Sequence, residues 1–232
     1  MLKIDQWIIP DVMPALPGRN EVHIWKIELS TPGLDLAHLL TPDEQIRRKQ
    51  LSHREEQTRF GNARGCLRSI LSAYSGIPPA LIQISYGERG KPRLKSAENN
   101  LQFNLSHAGE LALLAVSTEY PIGIDLEFVV MRKSLRRIAR KMFDHEVFRQ
   151  LESLDDEALK QAFFVHWTAL EASTKAEGRC IFSRSMKNGR LSCVNFQPHP
   201  GWCAALASVG SLPAAKNWST LKFSPDLDTQ IV

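Results

Sequence analysis

Helix-forming runs give way to short strand-like runs twice along this chain, and that order constrains the fold more than any single motif does. Thr41-Pro42-Asp43-Glu44 reads as an N-cap with proline at the first helical position, so helix is expected from there to about residue 51, and again over 55–75. Gly76-Ile77-Pro78-Pro79 ends it. Short apolar runs separated by Gly, Asn, Ser and Pro follow at 82–86, 101–105, 111–116 and 122–129, the pattern of a small antiparallel sheet. Helix is expected again over 134–151 and 155–176, then strands at 191–196, 203–208 and 221–223. A first strand is expected at 21–29, after an irregular, proline-bearing lead-in over 1–20. This is an α+β order, not the alternation of a parallel α/β array. It suggests two similar halves, 1–119 and 120–232, dividing near Glu119-Tyr120-Pro121.

Composition narrows the partners. A formal charge of only +4 argues against wholesale coating of nucleic acid. The basic residues are nevertheless bunched, at Arg47-Arg48-Lys49, Arg54, Arg59, Arg64 and Arg68 and again from Arg132 to Lys141, which fits a local anionic partner. With 43% hydrophobic and 23% charged residues, the chain is expected to fold over most of its length. Cys66, Cys180, Cys193 and Cys203 form no C-x-x-C pair and are too sparse for a disulfide framework or a zinc site, so reduced thiols are expected. Residues 1–10 lack a long apolar core and no later stretch has the apolar length of a membrane span; a cytoplasmic protein with no membrane partner is expected.

Two segments carry the chemistry. In Ile122-Gly123-Ile124-Asp125-Leu126-Glu127 apolar and acidic residues alternate, so in a strand both carboxylates leave one face and the three apolar side chains the other. An isolated D-x-E is also what the solvated face of an edge strand looks like. Here the flanks are apolar enough to be packed, Gly123 permits close backbone approach, and two like charges repel unless a cation neutralises them. In the second segment, helical spacing puts Trp167, Glu171 and Lys175 on one face. Its bland alternative is an exposed ion pair worth about 0.3 kcal/mol beside a core tryptophan. Together, three carboxylates and one ammonium are the equipment for a divalent cation held against a phosphate.

Smaller motifs add to this. Gly90-Lys91-Pro92 reads as a tight turn between strands, and Asn104-Leu105-Ser106-His107-Ala108-Gly109 as a strand ending in small residues. His107 has a purely structural reading, and one in which Ser106, His107 and nearby Lys91 aim donors at a phosphate. Arg64 and Arg68 share a helix face; guanidinium groups at this density either suit a polyanionic ligand or form a solvated face.

Taken in order, Arg59-Phe60…Arg64…Leu67-Arg68, Gly90-Lys91-Pro92, Phe103-Asn104-Leu105-Ser106-His107, Gly123-Ile124-Asp125-Leu126-Glu127 and Trp167…Glu171-Ala172…Lys175 resemble the 4'-phosphopantetheinyl transferases, of the monomeric Sfp-like type. The resemblance spans about residues 42–176. It implies a pseudo-twofold pair of α+β halves, each a small antiparallel sheet packed with helices, with coenzyme A between them. The adenine and 3'-phosphate side would fall on 1–119, the metal and pyrophosphate side on 120–232. Asp125, Glu127 and Glu171 would ligate Mg²⁺ and Lys175 would contact the pyrophosphate. Gly90, Lys91 and Pro92 would border the adenine, while Ser106 and His107 would face the 3'-phosphate with Arg47 and Arg59. One departure stands out: the family's helix reads W-x-x-K-E-A-x-x-K, and Leu170 takes the place of the first lysine.

The implied reaction is attack by a serine of an apo acyl or peptidyl carrier protein on coenzyme A, giving the holo carrier and 3',5'-ADP, as in a holo-acyl-carrier-protein synthase. Glu171 is the candidate general base, a role that competes with metal ligation. The basic face from Arg132 to Lys141, including Arg136, Arg137 and Arg140, would dock the carrier with Met142 and Phe143, or else is a solvated helix. The rival readings are another Mg²⁺-dependent enzyme acting on nucleotide phosphates and a coenzyme A or anion-binding module without turnover, which Leu170 keeps open.

Overall fold

Period-two patterning builds the centre of the molecule, whose computed structural model describes residues 1–87, 90–95, 100–179 and 191–226. β1 (Leu2–Lys3) is followed by β2 (Val22–Glu28), whose Val22 and Ile24 enter one core and Trp25 and Ile27 another. α1 (Pro42–Lys49) starts on a capping box in which the Thr41 hydroxyl accepts from the Glu44 amide and the Glu44 carboxylate accepts from the Thr41 amide. α2 (Arg54–Ser75) ends at Gly76, held at φ 70°. β3 (Ile84–Tyr86) and β4 (Pro92–Leu94) make a small separate hairpin. Then come β5 (Gln102–Ala108), β6 (Leu111–Ser117) and β7 (Ile122–Phe128). α3 (Leu135–Met142), α4 (His145–Glu152) and α5 (Asp156–Ala176) precede β8 (Leu191–Gln197), β9 (Trp202–Val209) and β10 (Trp218–Lys222).

The strands form two mixed sheets, ordered β10-β2-β6-β5 and β1-β8-β9-β7. The same path occurs twice, strand, long helix, hairpin: β2, α2, β5, β6 and then β7, α5, β8, β9, with the last strand of each set lying between the other two. The architecture is thus α+β in two subdomains. The division near residue 120 falls in the turn between β6 and β7, but the chain ends cross it, because β10 pairs parallel with β2 and β1 parallel with β8. The sheets pack face to face over Ile24, Leu113, Ile122, Ile124, Leu126, Phe196 and Leu206. α2 covers the outer face of the first sheet through Leu67, Ile70 and Leu71. α5 covers the second, where Ala172 and Ala176 meet Ala205 and Ala207. β6 is buried along its whole length because Leu111, Leu113 and Ala115 face the inner core and Ala112, Leu114 and Val116 the α2 side.

Several expectations shift. The helix expected over 134–151 is two helices: Phe143 is extended, and the Asp144 carboxylate accepts from the Val147 amide to start α4. The strand expected from residue 82 begins at Ile84, because Pro79–Leu81 form a 3₁₀ turn. The lead-in contains β1, and the tail strand begins at Trp218. Cys193 and Cys203 are free thiols and Cys66 is buried, while Cys180 lies outside the described residues.

Candidate active site

The two sheets adjoin edge to edge at β5 and β7, and the site is built on that seam. The amides of Ile124 and Leu126 donate to side chains of β5, Asn104 Oδ1 at 2.8 Å and Ser106 Oγ at 3.3 Å. Alternation then sends Ile122, Ile124 and Leu126 into the inner core and Gly123, Asp125 and Glu127 towards α5. Gly123 is required there: a Cβ at this position would overlap the Ala172 carbonyl oxygen and the Ala176 backbone. The glycine lets α5 lie close enough for its side chains to reach the strand's carboxylates.

Asp125 is buried, which rules out the solvated-edge reading. Its Oδ1 accepts from Lys175 Nζ at 2.6 Å and from the Ser106 hydroxyl at 3.0 Å, whereas its Oδ2 is buried with no hydrogen-bond partner. Glu127 Oε1 accepts from the Trp167 indole at 3.1 Å, and Trp167 stacks on Phe163 with 5.8 Å between ring centroids. Burial, reinforced by the Asp125 charge, pushes the carboxyls of Glu127 and Glu171 above the usual carboxylate range. Lys175 opposes that shift in both, and Trp167 and Arg132 oppose it for Glu127. Three carboxylates therefore share one ammonium. Among the described residues no three His, Cys, Asp or Glu groups converge ready-made on a metal position; the Lys175 ammonium occupies Asp125 instead. The orphaned Asp125 oxygen and the two carboxyls strained towards neutrality are nonetheless what a hard divalent cation would relieve, so the donor set fits Mg²⁺.

A groove of about 850 Å³ leads up to this cluster, lined from both halves by Arg47, Tyr86, Gly90, Lys91, Pro92, His107 and Lys175 among others. Arg47 stands over the Phe60 ring. His107 is exposed at the seam, yet the surrounding protein strips its solvent and, with Lys175, Arg47 and Arg59, holds its pKa below the ordinary value. Arg59 does not line the groove and lies 3.7 Å from Glu55. Ser106, expected to face a phosphate, is buried and gives its hydroxyl to Asp125. Lys91 Nζ donates to the Ala176 carbonyl at 2.6 Å.

The arginine-rich helix is partly turned inward. Arg64 Nε and Arg68 Nε donate to Glu44 at 2.6 and 2.9 Å, and the fully buried Arg68 also donates to the carbonyls of Pro79 and Ile82. Burial pushes the Glu44 carboxyl up, but both guanidinium groups and the Thr41 amide outweigh it and hold it below the usual range. These two arginines are absorbed by the fold. On the basic face expected to dock a carrier or else to be a solvated helix, Arg136 donates to the Leu154 carbonyl and Arg140 lies over Phe148. Sequence reasoning assigned no role to Asn104 or Glu44. The polar alternation of Asn104 and Ser106 between Phe103 and Leu105 was a readable signal for the seam; nothing in the sequence pairs Glu44 with arginines a helix away.

Comparison with known proteins agrees with this geometry. A profile described as 4'-phosphopantetheinyl transferase, N-terminal, matches residues 30–119, and one for the 4'-phosphopantetheinyl transferase superfamily matches 121–207. The chain is 37% identical over 212 residues to the 4'-phosphopantetheinyl transferase HetI of Nostoc sp., covering 89% of this chain and 84% of that one. It is 27% identical over 164 residues to the 4'-phosphopantetheinyl transferase ffp of Bacillus subtilis, covering 68% and 71%. It is 37% identical over 112 residues to AcpT of Salmonella typhi, covering 48% and 56%. The chain belongs to the 4'-phosphopantetheinyl transferase superfamily. It is a transferase that moves 4'-phosphopantetheine from coenzyme A to carrier proteins. None of its described helices is long and apolar enough to cross a membrane.

Proposed function

We propose that the groove binds coenzyme A with its adenine against the Gly90-Lys91-Pro92 turn, its 3'-phosphate near Arg47 and His107, with Arg59 close by, and its pyrophosphate beside Lys175. The adenine and 3'-phosphate end then belongs to 1–119 and the pyrophosphate end to 120–232. The orphaned Oδ2 of Asp125, flanked by Glu127 and Glu171, carries this reading. These three carboxylates would hold Mg²⁺, which when bound offsets the charge of the pyrophosphate. Lys175 leaves Asp125 Oδ1 for the phosphate whose negative charge grows as the bond breaks. The carrier serine oxygen bonds to the pantetheine-side phosphorus, the bond from that phosphorus to the bridging oxygen breaks, and 3',5'-ADP departs with the electron pair. Glu171 takes the serine proton, directly or through a water, a role that competes with metal ligation because a bound cation would reduce its basicity. Leu170 removes one cation from this face. The other lysine of α5, Lys160, pairs with Glu157, so Lys175 carries the helix's contribution alone.

We take the enzyme to be a cytoplasmic monomer. The test is mass spectrometry of an apo carrier protein incubated with coenzyme A and Mg²⁺, together with thermal stabilisation by Mg²⁺ and coenzyme A. Asp125→Asn and Glu171→Gln should each lower labelling by more than about a hundredfold while the proteins stay folded, and Asp125→Asn should lose the Mg²⁺-dependent stabilisation. Near-normal labelling by Asp125→Asn overturns the assignment. Release of free phosphate without labelling would indicate a hydrolase instead.

A further inference from the structure

The C-terminus of α5 is closed from two directions, by its own chain and by the other half of the molecule. The Gly178 amide donates to the Lys175 carbonyl and the Arg179 amide to the Thr174 carbonyl at 2.8 Å, with Gly178 at φ 63°. That is a Schellman turn, and it satisfies the carbonyls of Thr174 and Lys175. The next carbonyl, that of Ala176, is one the turn leaves over. It accepts from Lys91 Nζ at 2.6 Å, across 85 residues of sequence. The Lys91 stem runs alongside Gly178, where an added Cβ would come within 3.3 Å of the lysine Cβ and Cδ. On the opposite side the Ala176 backbone rests on Gly123. Burial, with repulsion from Arg93, lowers the Lys91 pKa to about 8, as for a cation withdrawn from water.

We infer that Lys91 is a positioning residue: a latch that caps α5 from the β3–β4 hairpin and so couples the adenine wall of the groove to the helix that carries Glu171 and Lys175. Lys175 immediately precedes the latched residue, and its Nζ must reach Asp125, so the azimuth of this last turn sets where the ammonium sits. Pro92, directly after Lys91, begins the strand that forms the groove wall. Movement of that wall and of the helix end are thereby one motion. The inference rests on reading the groove as the coenzyme A site, and it opposes the expectation that Lys91 donates to a ligand phosphate.

Two measurements on Lys91→Met, which keeps the apolar stem and removes the ammonium, decide it. First, amide hydrogen exchange of the unliganded protein over residues 174–179 should speed up by about tenfold, and Lys91→Arg should restore protection. Second, the dissociation constants for coenzyme A and for dephospho-coenzyme A, which lacks the 3'-phosphate, should rise by the same factor. Unchanged exchange overturns the latch whatever the binding shows. A loss of affinity confined to coenzyme A also overturns it, since that is the signature of a 3'-phosphate contact. Wild-type protein that binds neither ligand would sink the reading of the groove and leave the exchange measurement to judge the latch.

Discussion

α2 and α5 each lie across the outer face of a sheet and each has one glycine contact, Gly65 of α2 against Leu36 in the segment between β2 and α1, and Gly123 of β7 against Ala172 and Ala176 of α5. Each also carries a pair of charged residues four apart on one face, Arg64 with Arg68 and Glu171 with Lys175. The partners differ. Glu44, fixed by its own capping box, takes both guanidinium groups, and Arg68 disappears into the core. In the second pair the only ion-pair partner among the described residues goes to the cation, Lys175, which is held by Asp125. Asp125 and Glu127 instead add two more carboxylates, leaving a half-buried excess of negative charge at the head of an open groove. One topology, used twice, thus yields a helix that locks and a helix that works.

Exchanging single side chains should separate those two uses. The largest contrast is between Lys175→Met and Arg68→Met. Loss of Lys175 should cut carrier labelling by about a hundredfold per folded molecule, and because it leaves buried Asp125 without its counter-charge it should lower the melting temperature as well. Loss of Arg68 leaves Glu44 with Arg64 alone and the carbonyls of Pro79 and Ile82 without their donor; it should cost about 3 kcal/mol of unfolding free energy in urea titration without the loss of labelling per folded molecule that marks Lys175→Met. A stable Arg68→Met variant would show that the first pair is not structural after all. Next come the glycines. Gly65→Ala and Gly123→Ala both press a methyl group on neighbouring chain and should each destabilise by about 2 kcal/mol; only Gly123→Ala should also depress turnover of the protein that remains folded, because it displaces the working helix.

The smallest effect concerns pH, and falls on the locking half. His23 Nδ1 is 2.6 Å from the Tyr74 hydroxyl, which itself accepts from the Trp25 indole at 3.0 Å. Burial holds the Tyr74 pKa well above the usual tyrosine value, so the hydroxyl keeps its proton and is placed to donate it to an unprotonated Nδ1 of neutral His23. Burial lowers the His23 pKa, with Glu21 opposing. Above the ordinary histidine pKa of about 6.5 the ring is neutral folded or unfolded, and this contribution is complete. Below it the unfolded chain takes up the proton first, so stability falls with pH until the folded-state pKa is passed. Urea midpoints from pH 7.5 to 5.5 should show that slope, and His23→Gln should flatten it. An equal slope in the variant would assign the effect elsewhere.

Where one residue's pattern answers to one neighbour, the sequence was a reliable guide. The alternation from Ile122 to Glu127 predicted which side chains enter the core, and the spacing of Trp167, Glu171 and Lys175 predicted the face that meets Glu127 and Asp125. Thr41 and Gly76 marked their helix ends within a residue. What escaped depends on contacts across the chain. Glu44 was visible as a helix-start residue but not as the anion for two arginines twenty and twenty-four positions on, and Lys91 was visible as a turn residue but not as the cap of α5. Ser106 shows a subtler limit: a strand end was legible, yet which face its hydroxyl took was set by the abutting β7.

The crossing of the chain ends has a consequence for the order in which the protein is made. β2 leaves the ribosome early, but the strand that covers its outer edge, β10, spans Trp218–Lys222 and emerges after every other described strand. Until then the first sheet presents a bare row of amides and carbonyls, the kind of edge that recruits foreign strands. Growing chains are therefore exposed to mispairing until β10 has emerged, and a frameshift or stop codon ahead of Trp218 would leave that edge permanently open in a protein whose groove and carboxylates were otherwise in place.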